Sequence, residues 1–296
     1  MNNSSVLKPK TRIIAAYMAP AVLIYLFLVV VPLALSVWMS FYNWSGVNSS
    51  SFIGLKNYVD LFRDRVFLRS LENNLLIVVY AFIGQVGIGL IISLLLCSKF
   101  MAFREFHRRV IFLPVVLSPV VIGFVWLMVY NKDFGILNYF LNAIGLSSWI
   151  HPWLDNPKGV VLGITIPLIW QYIGFNLIIF LSSIQSIPPE ITECAEIDGA
   201  TGIKKTWYII MPMIMNTFKV VVMLCISGNM KIFDHIYVMT SGGPGSASMV
   251  MALYNFKVSF QGGRYGYGCA ISMAIVVVSL VLIFLSRKLI RSEQYD

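Results

Sequence analysis

Charge is scarce in this chain of 296 residues: Asp, Glu, Lys and Arg together make up 12%, about half the share found in a soluble domain. The acidic sign is the scarcer, with 13 residues against 22 basic ones. Histidine is scarcer still. His107, His151 and His235 are scattered, and no carboxylate or cysteine accompanies them at metal-ligand spacing, which excludes a clustered metal site. The four cysteines, Cys97, Cys194, Cys225 and Cys269, show no paired spacing and argue against a disulfide framework. No Gly-Lys dipeptide occurs, so the chain carries no phosphate-binding loop. Nucleophile elbows and catalytic triads are absent as well. No catalytic residue, metal or resident cofactor is therefore expected; any ATP and Mg²⁺ would be bound by a different polypeptide. The formal charge of +9 is mostly explained by short basic flanks, so nucleic acid is not an expected partner.

Apolar residues fill the space that charge leaves, at 58% of the chain. Charge-free runs cover residues 13–41, 73–98, 110–131, 159–189 and 265–286. Each is longer than the ~20 residues that cross a bilayer as a helix. A sixth run, 217–239, is interrupted by Lys219, Lys231 and Asp234. Backbone groups in lipid must be satisfied within their own segment, so the expected fold is all-α, a polytopic membrane protein with six transmembrane helices. The first run follows a basic start but is too long for a signal-peptide core, so a retained span is expected. With the N-terminus in the cytoplasm, twelve Lys and Arg flank the inner ends and eight the outer ones. This favours cytoplasmic tails at 1–12 and 291–296 around a single transmembrane domain, 13–290.

The segment at 187–212 is then a cytoplasmic loop. Pro188 and Pro189 stop the preceding span. Residues 191–197 read as a short helix with Glu190, Glu193 and Glu196 spaced by three, Asp198-Gly199 supplies a turn, and residues 204–211 start a second helix. Outside, residues 52–74 have an amphipathic pattern suited to the membrane surface.

Polar groups inside spans are costly and are candidates for function. Lys231 and Asp234 sit three apart on the same helix of the interrupted run, 217–239, where their charges can partly neutralise each other. They form either an ion pair along a polar pathway or plain interfacial anchors. Cys225, Asn229 and Ile232 continue that face at spacings of four and three, with Ser227 beside them. The fourth run offers Trp170, Gln171, Tyr172 and Asn176. Aromatic faces beside amides suit a carbohydrate, although polar residues also tie helices together.

The residues ECAEIDGATGIKKTWYIIMP (193–212) resemble the EAA motif of importer-type ABC transporter permeases. Glu193, Ala195, Asp198, Gly199, Ala200, Ile209 and Pro212 match its positions; Cys194, Thr206 and Met211 depart from it. KIFDHIYVMTSGGPGSAS (231–248), FQGGRYGYGCAISM (260–273) and FIGLKNYVDLF (52–62) are similar to the carbohydrate-uptake branch, related to the maltose transporter's larger membrane subunit, without that subunit's large outer domain.

The resemblance implies a non-catalytic subunit that pairs with a second, homologous permease subunit and an ABC ATPase dimer in a bacterial or archaeal cytoplasmic membrane. An extracytoplasmic sugar-binding protein would deliver a sugar or oligosaccharide. The first helix of the loop would be a coupling helix, with Glu193 and Gly199 central and Asp198 capping or salt-bridging at the turn. The match across 211–244 puts Cys225, Asn229 and Ile232 at sugar-contact positions, with Tyr172 and Asn176 on the neighbouring span. The rival is an ion-coupled secondary transporter or channel using Lys231 and Asp234.

Overall fold

The computed structural model describes residues 11–46, 50–98 and 101–290. Most of the two tails lies outside them, as do Lys8, Lys10, Lys99 and Arg291, which weighed in the expected orientation. Among the described residues, five helices are long and apolar enough to cross a membrane, and a bent pair makes a sixth if it is counted as one span. The only sheet among the described residues is a pair of two-residue strands. The chain divides into two compact units, residues 1–60 with 257–273, and residues 61–256 with 274–296.

In the first unit, α1 (Thr11–Met39) exposes its apolar side chains along its length, a surface that hydrocarbon solvates. Its register widens into a π-turn at Leu26–Val30, just before Pro32, which has no N–H to give the ladder. The chain then makes a small hairpin, β1 (Tyr42–Asn43) against β2 (Ser51–Phe52), and enters α2 (Lys56–Arg63). Asn57 holds the turn by donating from Nδ2 to the carbonyls of Ser40, at 2.8 Å, and Tyr42, at 3.0 Å. At Gly266 a Cβ would lie 2.0 Å from the Tyr42 carbonyl oxygen. Only glycine lets that backbone approach closely enough for its N–H to reach Trp44 O at 3.1 Å.

The second unit opens with α3 (Arg65–Cys97), 33 residues long. Asp64 caps it, accepting from Val66 N at 2.9 Å and Phe67 N at 3.2 Å, and its other oxygen accepts from the Tyr254 hydroxyl. This cap corrects the expectation of one amphipathic segment over 52–74. The surface helix is only α2, because Asp64 starts a new helix that runs on into the span.

The third expected span, 110–131, is also corrected. It is not one helix but α4 (Arg104–Val116) and α5 (Pro119–Val129), bent by 102°. Proline explains the break. Pro119 forces Ser118 out of the helical region, to ψ 136°, and Leu117 is extended as well, at ψ 145°. A short helix, α6 (Ile136–Ala143), follows.

Next comes α7 (Val160–Gln185), which buries 56% of its most apolar window. Ile164, Leu168, Leu177 and Phe180 are inaccessible. Pro167 inside it lacks the N–H that would satisfy Gly163 O, and the Tyr130 hydroxyl donates to that carbonyl instead, at 2.9 Å. After the loop helices α8 (Pro189–Ile197) and α9 (Gly202–Lys205), the fifth span consists of α10 (Met215–Met230) and α11 (Asp234–Met239), separated by three non-helical residues. Lys231 and Asp234 therefore do not share a continuous helix, and the expected helical i,i+3 pairing is corrected. α12 (Met251–Phe256) and the long α13 (Tyr265–Leu289) complete the order.

Broken helices in a membrane need partners for their freed carbonyls. Asn74 supplies them at the end of α10, donating to Asn229 O at 3.1 Å and Met230 O at 3.3 Å while its Oδ1 accepts from Met251 N at 2.8 Å. Asn73 bridges Ala247 O and Met249 O, both at 2.8 Å. Leaving lipid brings no hydrophobic gain, so tight packing and such bonds, measured at about 0.6 to 1.7 kcal/mol each, hold the helices together.

Candidate functional site

Helices α3, α4, α7, α10 and α11 of the second unit line a cleft of about 610 Å³. α7 contributes Tyr172 and Asn176, and α10 contributes Cys225, Ser227 and Asn229. The break after α10 adds Lys231 and Ile232, and Asp234 opens α11 at the same wall. All five expected pathway residues and both charged ones thus meet in one place. Ile232 gets there although it lies past the helix end. Lys231 and Asp234 line the cleft without forming an ion pair with each other.

Two neighbours on the fourth span point elsewhere. Gln171 donates from Nε2 to Leu117 O at 2.9 Å, satisfying the carbonyl freed by the bend between α4 and α5. Trp170 sets its ring edge-on to Trp126, with centroids 6.0 Å apart. Both serve the architecture around the break, not the cleft lining.

Gln85 is the lining residue that sequence reasoning missed. It comes from α3, inside a π-turn at Phe82–Ile88, a distortion common at functional positions. Its Nε2 donates to Leu168 O at 3.2 Å, and its Oε1 accepts from Asn229 Nδ2 at 3.3 Å. Asn229 makes its shorter bond to Cys225 O, at 2.8 Å, and Asn176 donates to Tyr172 O at 3.3 Å. The available signal was an amide deep inside a charge-free run, between Gly84 and Gly87.

The second candidate region is the loop between the fourth and fifth spans. α8 begins on Pro189, whose absent N–H costs nothing at a helix start. It ends in a Schellman motif: Ala200 N donates to Ala195 O at 2.8 Å and Gly199 N to Glu196 O at 3.1 Å. Gly199 adopts φ +82°, the left-handed conformation that motif requires. Ala195 is buried while Glu193, Asp198 and Gly199 are exposed. Asp198 forms no side-chain hydrogen bond or ion pair among the described residues. The bridge across the turn belongs to Glu196, whose Oε1 lies 2.6 Å from Lys205 Nζ, so the salt-bridging expected of Asp198 is corrected. Large side chains stand clear of the fold on this loop: Ile197 is 85% exposed, Ile203 87%, Trp207 67% and Tyr208 71%. Exposed apolar groups beside carboxylates make a surface built to be covered.

Residues 85–292 match the family described as "Binding-protein-dependent transport system inner membrane component". The chain belongs to this family. Among its relatives is the probable ABC transporter permease protein YurN of Bacillus subtilis (strain 168), 35% identical over 95% of this chain and 96% of that protein. Another is the probable starch degradation products transport system permease protein AmyD of Thermoanaerobacterium thermosulfurigenes, 28% identical over 92% of this chain and 93% of that protein. The fold is also that of a chain in the crystal structure of a bacterial ABC transporter involved in the import of the acidic polysaccharide alginate, with TM-score 0.82 and 23% identity over 94% of this chain and 95% of that one. Membership of the binding-protein-dependent transport family agrees with the resemblance drawn from residues 193–212, and the protein is a multi-pass membrane component. An ion-coupled carrier does not fit that membership.

Proposed function

We propose that this chain is one of two membrane subunits of an ATP-driven importer, non-catalytic itself, and that its cargo is a sugar or oligosaccharide. The observation that carries the reading is the pairing, in one member of this family, of an amide-lined cleft among the spans with an exposed, rigidly terminated loop helix. Tyr172, Phe175 and Phe233 offer faces for C–H stacking, and Asn176, Asn229 and Gln85 offer hydrogen bonds, the two demands a carbohydrate makes. AmyD and the alginate transporter handle carbohydrates by name, which supports the same cargo class.

In this reading a binding protein outside the membrane delivers the sugar, and an ATPase dimer on the cytoplasmic side binds ATP and Mg²⁺. α8 seats in a cleft of one ATPase. Glu193 and the Asp198–Ala200 turn meet the partner, while buried Ala195 fixes the helix to its own subunit. Closure of the ATPases then rocks the spans as rigid bodies, exposing the cleft alternately to the two sides of the membrane. Lys231 and Asp234 border the pathway. Both chain ends lie in the cytoplasm, the membrane being that of a bacterium or archaeon.

The test is Glu193→Ala in the complete transporter. Loss of ATPase association, measured by co-purification, together with loss of ATP-dependent sugar uptake into proteoliposomes is expected. Normal association and uptake would remove the loop from its coupling role. Uptake by this chain alone under an ion gradient would overturn the reading as a whole.

A further inference from the structure

We infer that Gln85 is a ligand-contacting residue of the cleft, and that with Asn229 it reads one hydroxyl of an uncharged, polyhydroxylated ligand. The inference rests on the importer reading above and adds to it the position where specificity is set. Gln85 comes from α3, and with Asn176 of α7 and Asn229 of α10 it gives the cleft amides from three helices.

Hydrogen-bond accounting supports a ligand at this point. The Gln85 amide nitrogen carries two hydrogens, and one goes to Leu168 O at 3.2 Å. The Gln85 amide oxygen receives only long approaches, 3.3 Å from Asn229 Nδ2 and 3.8 Å from Cys225 Sγ. Asn229 spends its good bond, 2.8 Å, on the carbonyl of Cys225. Among the described residues, no protein group takes the second N–H of Gln85 or donates to the Oδ1 of Asn229, so these two lining residues keep one donor and one acceptor between them. A hydroxyl group needs both at once, which a carboxylate or an ammonium does not. The charged residues of the lining, Lys231 and Asp234, are of opposite sign, so the cleft as a whole favours neither an anion nor a cation. The π-turn at Phe82–Ile88 shifts the α3 register at this level, and Gln85 is the one amide within it.

The competing role for Gln85 is a tie between α3 and α7 through Leu168, and the experiment separates the two. The complete transporter is reconstituted in nanodiscs without its binding protein. Equilibrium binding of tritiated maltotriose, arabinotriose and diacetylchitobiose is measured, followed by monodeoxy analogues of whichever sugar binds. Gln85→Met, similar in shape but without the amide, should weaken binding about three- to tenfold. The loss should be non-additive with removal of one particular hydroxyl, and the same pattern should appear with Asn229→Ala. Gln85→Glu, which removes the donor and keeps an acceptor, should show the same non-additivity and serves if the Met variant fails to assemble. Wild-type affinity in both variants, or losses that add for every deoxy position, would reduce Gln85 to a helix tie. Wild-type complex that binds none of the sugars would instead defeat the sugar reading, and this inference with it.

Discussion

Gly199 offers the sharpest test of how the loop works. It closes α8 at φ +82°, and a Cβ built there meets nothing within 4 Å. An alanine methyl is therefore free of clashes within the subunit, and its cost is backbone strain alone. For alanine in the left-handed region that cost is about 1–2 kcal/mol. If the docked complex requires the Schellman turn, this strain subtracts from ATPase binding, and ~1.4 kcal/mol is a tenfold loss. Asparagine tolerates the left-handed conformation and should lose little, whereas a β-branched valine should lose most. The assay is the affinity of purified ATPase for permease complexes in nanodiscs, by fluorescence titration, with ATP-dependent uptake measured alongside. The expected order of damage is Asn, then Ala, then Val. Asparagine doing more harm than alanine would refute the backbone argument, because it would mean that side-chain bulk against the partner is what matters. Equal, wild-type behaviour of all three would show that the turn is not needed for docking.

The broken spans make further predictions. Tyr130→Phe leaves Gly163 O without a donor and should lower stability by about 1–3 kcal/mol, read as an earlier loss of monodisperse protein on heating. Pro167→Ala restores the helical N–H, so Tyr130→Phe should cost much less in that background; an unchanged penalty would show that the hydroxyl does not substitute for the missing N–H. Asn74→Asp keeps the acceptor for Met251 N but turns an oxygen toward the carbonyls of Asn229 and Met230. It should destabilise the protein more than Asn74→Ala does, and a melting series with the reverse order would contradict the assigned bonds.

Much of the loop at 187–212 was legible because its signals are local. Pro188-Pro189, the acidic spacing of three and Asp198-Gly199 each act within a few residues, and the helix bounds came out within a turn. The cleft was legible in part. Cys225, Asn229 and Ile232 share a spacing, so their convergence could be inferred along one strip, even though the helix stops before Ile232. Gln171 and Tyr172 are adjacent, and nothing local says that one turns to the α4–α5 bend while the other lines the cleft. Asn73, Asn74 and Gln85 were silent for the same reason: their partners are distant in sequence, and an amide has no signature until those partners are in place.

Sequence alone determined that this is a helical membrane protein with six apolar runs, and that one polar loop folds as short helices around a turn. Composition and run length suffice for that, since lipid admits few ways to satisfy a backbone. Tertiary structure decided where the spans break, which carbonyls those breaks release and which amides are sent to meet them. It also decided which amides line the cleft. That division is physical: a run's hydropathy depends on its own residues, whereas the direction and partner of a buried polar group depend on every helix packed around it.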